Sequence, residues 1–208
     1  FNRSDFSLYN HDIDDSNLTT LYTLDNNYSY LNAFYKNALN KNWMVRGGIS
    51  YTFIENDTHV DLNGINLIEK GVHAKSVLVG SLSDHVELKA GAEVINRNFQ
   101  QQMSAENASP ITLGFNEMLT AVFTESDLYA SNSFVTRLGA RVEHNTLNDK
   151  LSFDPRVSLA YKTNPNGQVS FAYGKFRQTA KNDYVRVEKE LDAERAAHFI
   201  LNYQFVDD

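Results

Sequence analysis

Three groups of residues in this 208-residue chain have the types that bind ions or move protons. The first is the stretch DIDDSN, which puts Asp12, Asp14 and Ser16 at the spacing that opens a calcium-binding loop. Such a loop needs a turn glycine at its sixth position and a bidentate glutamate at its twelfth, where this chain has Asn17 and Thr23. That excludes an EF-hand, and the expected reading is a solvated acidic loop. The second group is the histidines: His11, His59, His73, His85, His144 and His198. None stands in an HExxH or comparable spacing, so they read as strand-end and loop residues rather than metal ligands. The third is Glu188 with Glu190, two carboxylates in a charged run with neither a nucleophile nor a base beside them. There is no G-x-S-x-G elbow and no glycine-rich phosphate cradle. With no cysteine, a thiol nucleophile, a disulfide and a zinc-thiolate site are all excluded. The chain is read as a non-enzyme with no cofactor and no metal site.

A fourth set of charges is more regular. Arg46, Glu87, Lys89, Glu93, Arg137 and Arg141 fall at alternate positions in runs whose intervening positions are apolar. Around Arg46, the residues Trp43, Val45, Gly47, Ile49, Tyr51 and Phe53 alternate with Met44, Arg46, Gly48, Ser50 and Thr52. Val86, Leu88, Ala90, Ala92 and Val94 alternate with Glu87, Lys89, Gly91 and Glu93, and the pattern recurs across Phe134 to His144 and His198 to Phe205. Period two puts the charges on one face of a sheet and the apolar residues on the other.

The elements that must carry these faces are strands joined in hairpins. In LSFDPRVSLAYKTNPNGQVSFAYGKFRQT, the residues Val157, Leu159 and Tyr161 are answered by Val169, Phe171 and Tyr173 across the turn Asn164-Pro165-Asn166-Gly167. Further tight polar turns are expected near Asn40–Asn42, Ser83–His85 and Ser131–Ser133. Long polar links are expected over Glu55–Glu69, Asn96–Leu113 and Thr179–Ala193, with a shorter one at Asn145–Lys150. Good helix formers from Glu188 to Ala197 predict a helical turn inside the last long link.

Tight turns at one end and long links at the other, about ten antiparallel strands, and aromatics near strand ends (Trp43, Tyr51, Phe53, Tyr129, Tyr161, Tyr173, Phe205) describe an outer-membrane barrel. The fold class is therefore all-β, antiparallel up-and-down strands forming part of a large transmembrane β-barrel. In such a barrel the six alternating charges face the lumen and are the candidates for substrate contact, although most would serve only to keep the wall polar. Two rivals remain: a complete small barrel with a structural or adhesive role, and a soluble β-sandwich binding module. No apolar run reaches the roughly 18 residues that cross a bilayer as a helix. A formal charge of -7 with no basic stripe argues against nucleic acid as a partner.

Pro155-Arg156, then Tyr173-Gly174-Lys175 with Gln178, then Leu191 with Glu194, form a series that resembles the barrel of TonB-dependent outer-membrane receptors over about Phe134 to Phe205. The resemblance implies a barrel of about 22 strands around a plugged lumen, of which residues 1–208 would be one segment. The plug domain, the TonB box and the closing strand would lie outside that segment. It further implies uptake of an iron chelate, a cobalamin or a glycan across the outer membrane of a Gram-negative bacterium. The implied partners are outer-membrane lipid, the TonB complex acting through the plug, and a surface lipoprotein.

Overall fold

The computed structural model describes residues 2–11 and 19–206. In chain order the elements are β1 (Asn2–His11), β2 (Thr19–Ala38), β3 (Trp43–Val60), β4 (Asn63–Ser83), β5 (Val86–Ala105), β6 (Ala108–Ser131), β7 (Phe134–Asn145), β8 (Lys150–Asn164), β9 (Gly167–Gln178), α1 (Asn182–Val185) and β10 (Glu194–Phe205). All ten strands lie in one sheet in sequence order, each antiparallel to the next. A single sheet is not a sandwich. Among the described residues β1 and β10 do not pair, so the ten strands do not close into a small barrel. Asp12, Asp14, Ser16 and Asn17 of the calcium-like stretch lie outside the described residues.

The expected hairpin is present. Val157 faces Tyr173, Leu159 faces Phe171 and Tyr161 faces Val169, so all six share one side of the sheet. Its turn is stabilised by the Asn166 backbone N–H donating to Asn164 Oδ1 at 2.9 Å, and the ladder shifts by one residue between Lys162 and Asn164. The other tight turns fall where expected, between β2 and β3, β4 and β5, and β6 and β7.

Two of the long links are not links. Glu55–Glu69 is strand on both sides of a two-residue turn at Asp61 and Leu62, and Asn96–Leu113 is strand on both sides of Glu106 and Asn107. Asp61 takes a left-handed φ of 52° while accepting the Leu21 N–H on its Oδ1 at 2.7 Å, a conformation that aspartate tolerates. Asn26 pairs with Asn56 and Asn98 with Asn116 through side-chain hydrogen bonds, and most apolar residues here, among them Ile65, Leu67, Phe99, Met103 and Ile111, stand on the inner face between polar neighbours, the reverse of the pattern nearer the tight turns. The result is a set of tall strands. β2 to β6 run 18–24 residues, about twice the 9–11 needed to cross a bilayer.

The third long link, between β9 and β10, does exist, but its helix is Asn182–Val185 and not Glu188–Ala197. Glu194 to Ala197 belong to β10, paired with Gln178 to Lys175. A backbone ladder outweighs an intrinsic preference worth only tenths of a kcal/mol per residue. His73 and His198 also depart from the strand-end reading, since both lie well inside strands, paired with Ile95 and Gly174.

The outer face is apolar and exposed. Ile49, Val122, Leu138, Phe153, Phe171 and Leu201 stand on it with no covering layer. Trp43 and Tyr51 are on this face of β3, eight residues apart, which is about 27 Å along a strand, or about 21 Å of height at a tilt of roughly 40°, against the ~25 Å height of a lipid-facing apolar band. Tyr161 and Phe205 line the tight-turn end of this face with Trp43, whereas Tyr129 stands at that end on the opposite face, two residues from Asp127.

The opposite face closes tightly around Gly91. A Cβ there would stand 2.4 Å from Phe123 Cζ and 2.5 Å from the backbone oxygen of Ser76, which the ladder holds in place. Gly91→Ala is therefore expected to destabilise the sheet by about 1–3 kcal/mol. The measurement is the temperature at which an unboiled gel band converts to the unfolded form. An unchanged temperature would mean that the β4–β5 ladder yields at this point.

Candidate functional site

Strand register collects one group of charges from β3 to β8 on the inner face. Arg46 faces Val77, Val77 faces Gly91, Gly91 faces Phe123, Phe123 faces Arg141, and Arg141 faces Asp154, so one row crosses six strands. The next row toward the tight turns holds Lys89, Glu125, Gly139 and Arg156, and the one after it holds Glu87, Asp127 and Arg137. On the other side lies the row of Lys75, Glu93, Ala121 and Glu143. Arg46, Glu87, Lys89, Glu93, Arg137 and Arg141 thus share one face.

Most of these charges are engaged with one another. Four carboxylates on the face are buried: Glu93, Glu117, Asp127 and Asp154. Each has an arginine, because an unpaired buried charge would be far more costly than the pair. Arg141 Nη1 donates to Glu93 Oε2 at 2.6 Å and its Nη2 to Glu143 Oε2 at 2.8 Å. It reaches from β7 past β6 to β5 because the residue between Glu93 and Glu143 is Ala121, whose small side chain leaves the way open. His73 Nε2 lies 2.7 Å from Glu93 Oε1. Arg137 holds Asp127 through Nε at 2.5 Å and Nη2 at 3.0 Å, while Lys89 Nζ donates to Asp127 Oδ2 at 3.2 Å and to Glu125 Oε1 at 3.3 Å. Arg177 Nε donates to Asp154 Oδ1 at 2.9 Å.

The fourth carboxylate anchors the link between β9 and β10 to the sheet. Glu117 accepts from Arg97 Nε at 3.1 Å, Arg97 Nη2 at 2.7 Å, Asn145 Nδ2 at 2.7 Å and the Thr179 hydroxyl. Arg97 lies over the Phe115 ring and donates through Nη1 to Asn182 Oδ1 at 2.8 Å. Arg186 donates to Gln101 Oε1, and Val185 is 1% exposed against the stacked rings of Phe99 and Phe115. The link, expected as an outward loop, folds inward over the charged face. At its far end Lys150 donates to Asp192, which holds that carboxyl below its ordinary pKa.

Two arginines of the face lack a carboxylate. Among the described residues Arg46, like Lys36 opposite it on β2, has no hydrogen-bond or ion-pair partner, and Arg156 has only the Phe176 ring, 4.7 Å from its guanidinium carbon. Among the described residues no cluster of three or more His, Cys, Asp or Glu could hold a metal ion. Period-two reading of β3, β5 and β7 found six of the face's charges, but it missed Lys75, Arg97, Glu117, Asp127 and Asp154. Extending the same alternation through the rest of β5 and through β4, β6 and the start of β8 would have found them.

No family model matches the sequence, and no curated protein matches it. Solved structures do. The ferric-catecholate import receptor Fiu from E. coli K12 is similar with a TM-score of 0.61 at 9% identity, over 90% of this chain and 38% of that one. The fold is that of a β-barrel wall. The ferric citrate transporter FecA in its unliganded form is similar with a TM-score of 0.57 at 10% identity, over 89% of this chain and 33% of that one. This barrel wall therefore spans less than two-fifths of either receptor chain.

Proposed function

We propose that residues 1–208 form a segment of the barrel wall of a TonB-dependent receptor in the outer membrane of a Gram-negative bacterium, serving nutrient uptake and not catalysis. The observation that carries this reading is the two-sidedness of the sheet. An uncovered apolar outer face has aromatic residues about 27 Å apart along β3, and the inner face behind it carries nearly all the buried charge. A soluble sheet would bury the first face and solvate the second. The likeness to Fiu and FecA supports the same reading. On it, lipid meets the outer face, while a plug domain and through it the TonB complex act from inside, with a surface lipoprotein as a further partner. Arg46, Glu87, Lys89, Glu93, Arg137 and Arg141 line the route, and the solute is an iron chelate, a cobalamin or a glycan.

The test is fractionation of cells producing the full-length protein. The expected result is recovery with the outer membrane and an unboiled gel band that migrates faster than the boiled one. Recovery in the soluble fraction would overturn the reading.

A further inference from the structure

Arg46 and Arg156, which have no carboxylate partner, line the same pocket. Arg46, Lys75, Lys89, Arg141 and Arg156 line a shallow pocket of about 240 Å³ on the inner face, with Glu125 as its one acidic residue. Val77 and Phe123 also line it. Lys75 Nζ lies 4.9 Å from the centre of the Phe123 ring, and Val77 is 7% exposed. Three of the cations are already neutralised: Lys75 at Glu93, Lys89 at Glu125 and Asp127, and Arg141 at Glu93 and Glu143. Arg46 and Arg156 are not. They stand at opposite edges of the pocket, on β3 and β8, each with a planar fork of donors that suits a carboxylate or a phosphate. A face that offsets each of its buried carboxylates with an arginine leaves these two guanidiniums without one.

We propose that this pocket is a binding site for a small dissolved oxyanion, a polycarboxylate or a phosphate, held by the guanidinium of Arg46 or of Arg156 with Lys75, Lys89 and Arg141 adding to the field. The site deepens the transport reading by naming the chemical class of a solute that the wall would hold, and it rests on that reading. Glu87, Glu93 and Arg137, committed to ion pairs, then act as structure and not as contacts to the solute.

Binding is measured on the purified full-length protein in detergent, by calorimetric titration with citrate and, separately, with inorganic phosphate. Saturable binding of at least one is expected, weakening as sodium chloride is raised. The arm that binds identifies carboxylate or phosphate as the ligand group. The double variant Arg46→Gln/Arg156→Gln is expected to bind about tenfold to a hundredfold more weakly, the range for losing hydrogen bonds to charged groups. Because neither arginine neutralises a buried acid, the variant should keep the heat-modifiable gel band of the folded barrel. Lys41→Gln, in the β2–β3 turn, should bind like the unaltered protein. Should the double variant not fold, Arg46→Lys/Arg156→Lys serves, since it keeps the charges and loses the forks; weaker binding is again expected. No binding of either anion by the unaltered protein, or equal binding by the folded arginine variant, would overturn the proposal. Either result would leave the outer-membrane fractionation outcome untouched, so failure here is separable from failure of the transport reading.

Discussion

Leu159→Arg is expected to destabilise the folded barrel in lipid by about 2–4 kcal/mol, the penalty for a cation on the lipid face near the bilayer midplane. Leu159 lies on the outer face of β8 between Thr136 and Phe171, five residues from Asn164 at the tight turn. Five residues are about 16 Å of strand, or about 13 Å of depth at a tilt of roughly 40°, half the height of the apolar band. The matched change on the inner face is Ser170→Arg, at a position flanked by Ala160 and Asn202. It is expected to cost under about 1 kcal/mol, because a guanidinium there stays in water. Urea unfolding of both variants in lipid vesicles compares them directly. Equal penalties would remove the distinction between the faces, and with it the membrane reading.

A second large effect is expected at Glu117. Glu117→Ala leaves the Arg97 guanidinium without its carboxylate and takes the acceptor from Asn145 and Thr179. Breaking a buried pair costs about 3–5 kcal/mol, and the partial exposure of Arg97 puts this one near 3 kcal/mol. The loss should appear locally, as release of the inward-folded link, because Arg97 is also what holds Asn182. Lys181, Arg186 and Lys189 make that link a trypsin substrate once it lifts. Cleavage at these three sites should accelerate by roughly 100-fold if the whole 3 kcal/mol enters the opening equilibrium. Glu188→Ala, in the same link, gives up only the Glu190 N–H and should not accelerate cleavage. A cleavage rate unchanged in Glu117→Ala would mean that Val185 and its aromatic seat hold the link without the ion pair.

The amino-acid order alone determined the class of sheet and which residues share a face. Side-chain direction alternates with period two, so Val157, Leu159 and Tyr161 could be matched to Tyr173, Phe171 and Val169 once the Asn-Pro-Asn-Gly turn was seen, and Arg137 could be put on one side with Arg141. That signal depends on contrast between the faces. It was weak over Glu55–Glu69 and Asn96–Leu113, where the outer face is mostly polar and Ile65, Leu67, Phe99, Met103 and Ile111 are interspersed with polar residues on the inner face, so that backbone hydrogen bonds between partner strands define the element. Which charges cancel was decided by the tertiary structure alone. Arg141 and Glu93 are 48 residues apart and on strands that are not neighbours, and they meet because Ala121 is small and the register puts it between Glu93 and Glu143. The inward course of residues 179–193 was likewise invisible along the chain. Its cause is the burial of Val185 on Phe99 and Phe115 and the hydrogen bonds of Thr179 to Glu117 and Asn182 to Arg97, contacts between segments more than 60 residues apart that only a folded sheet brings together.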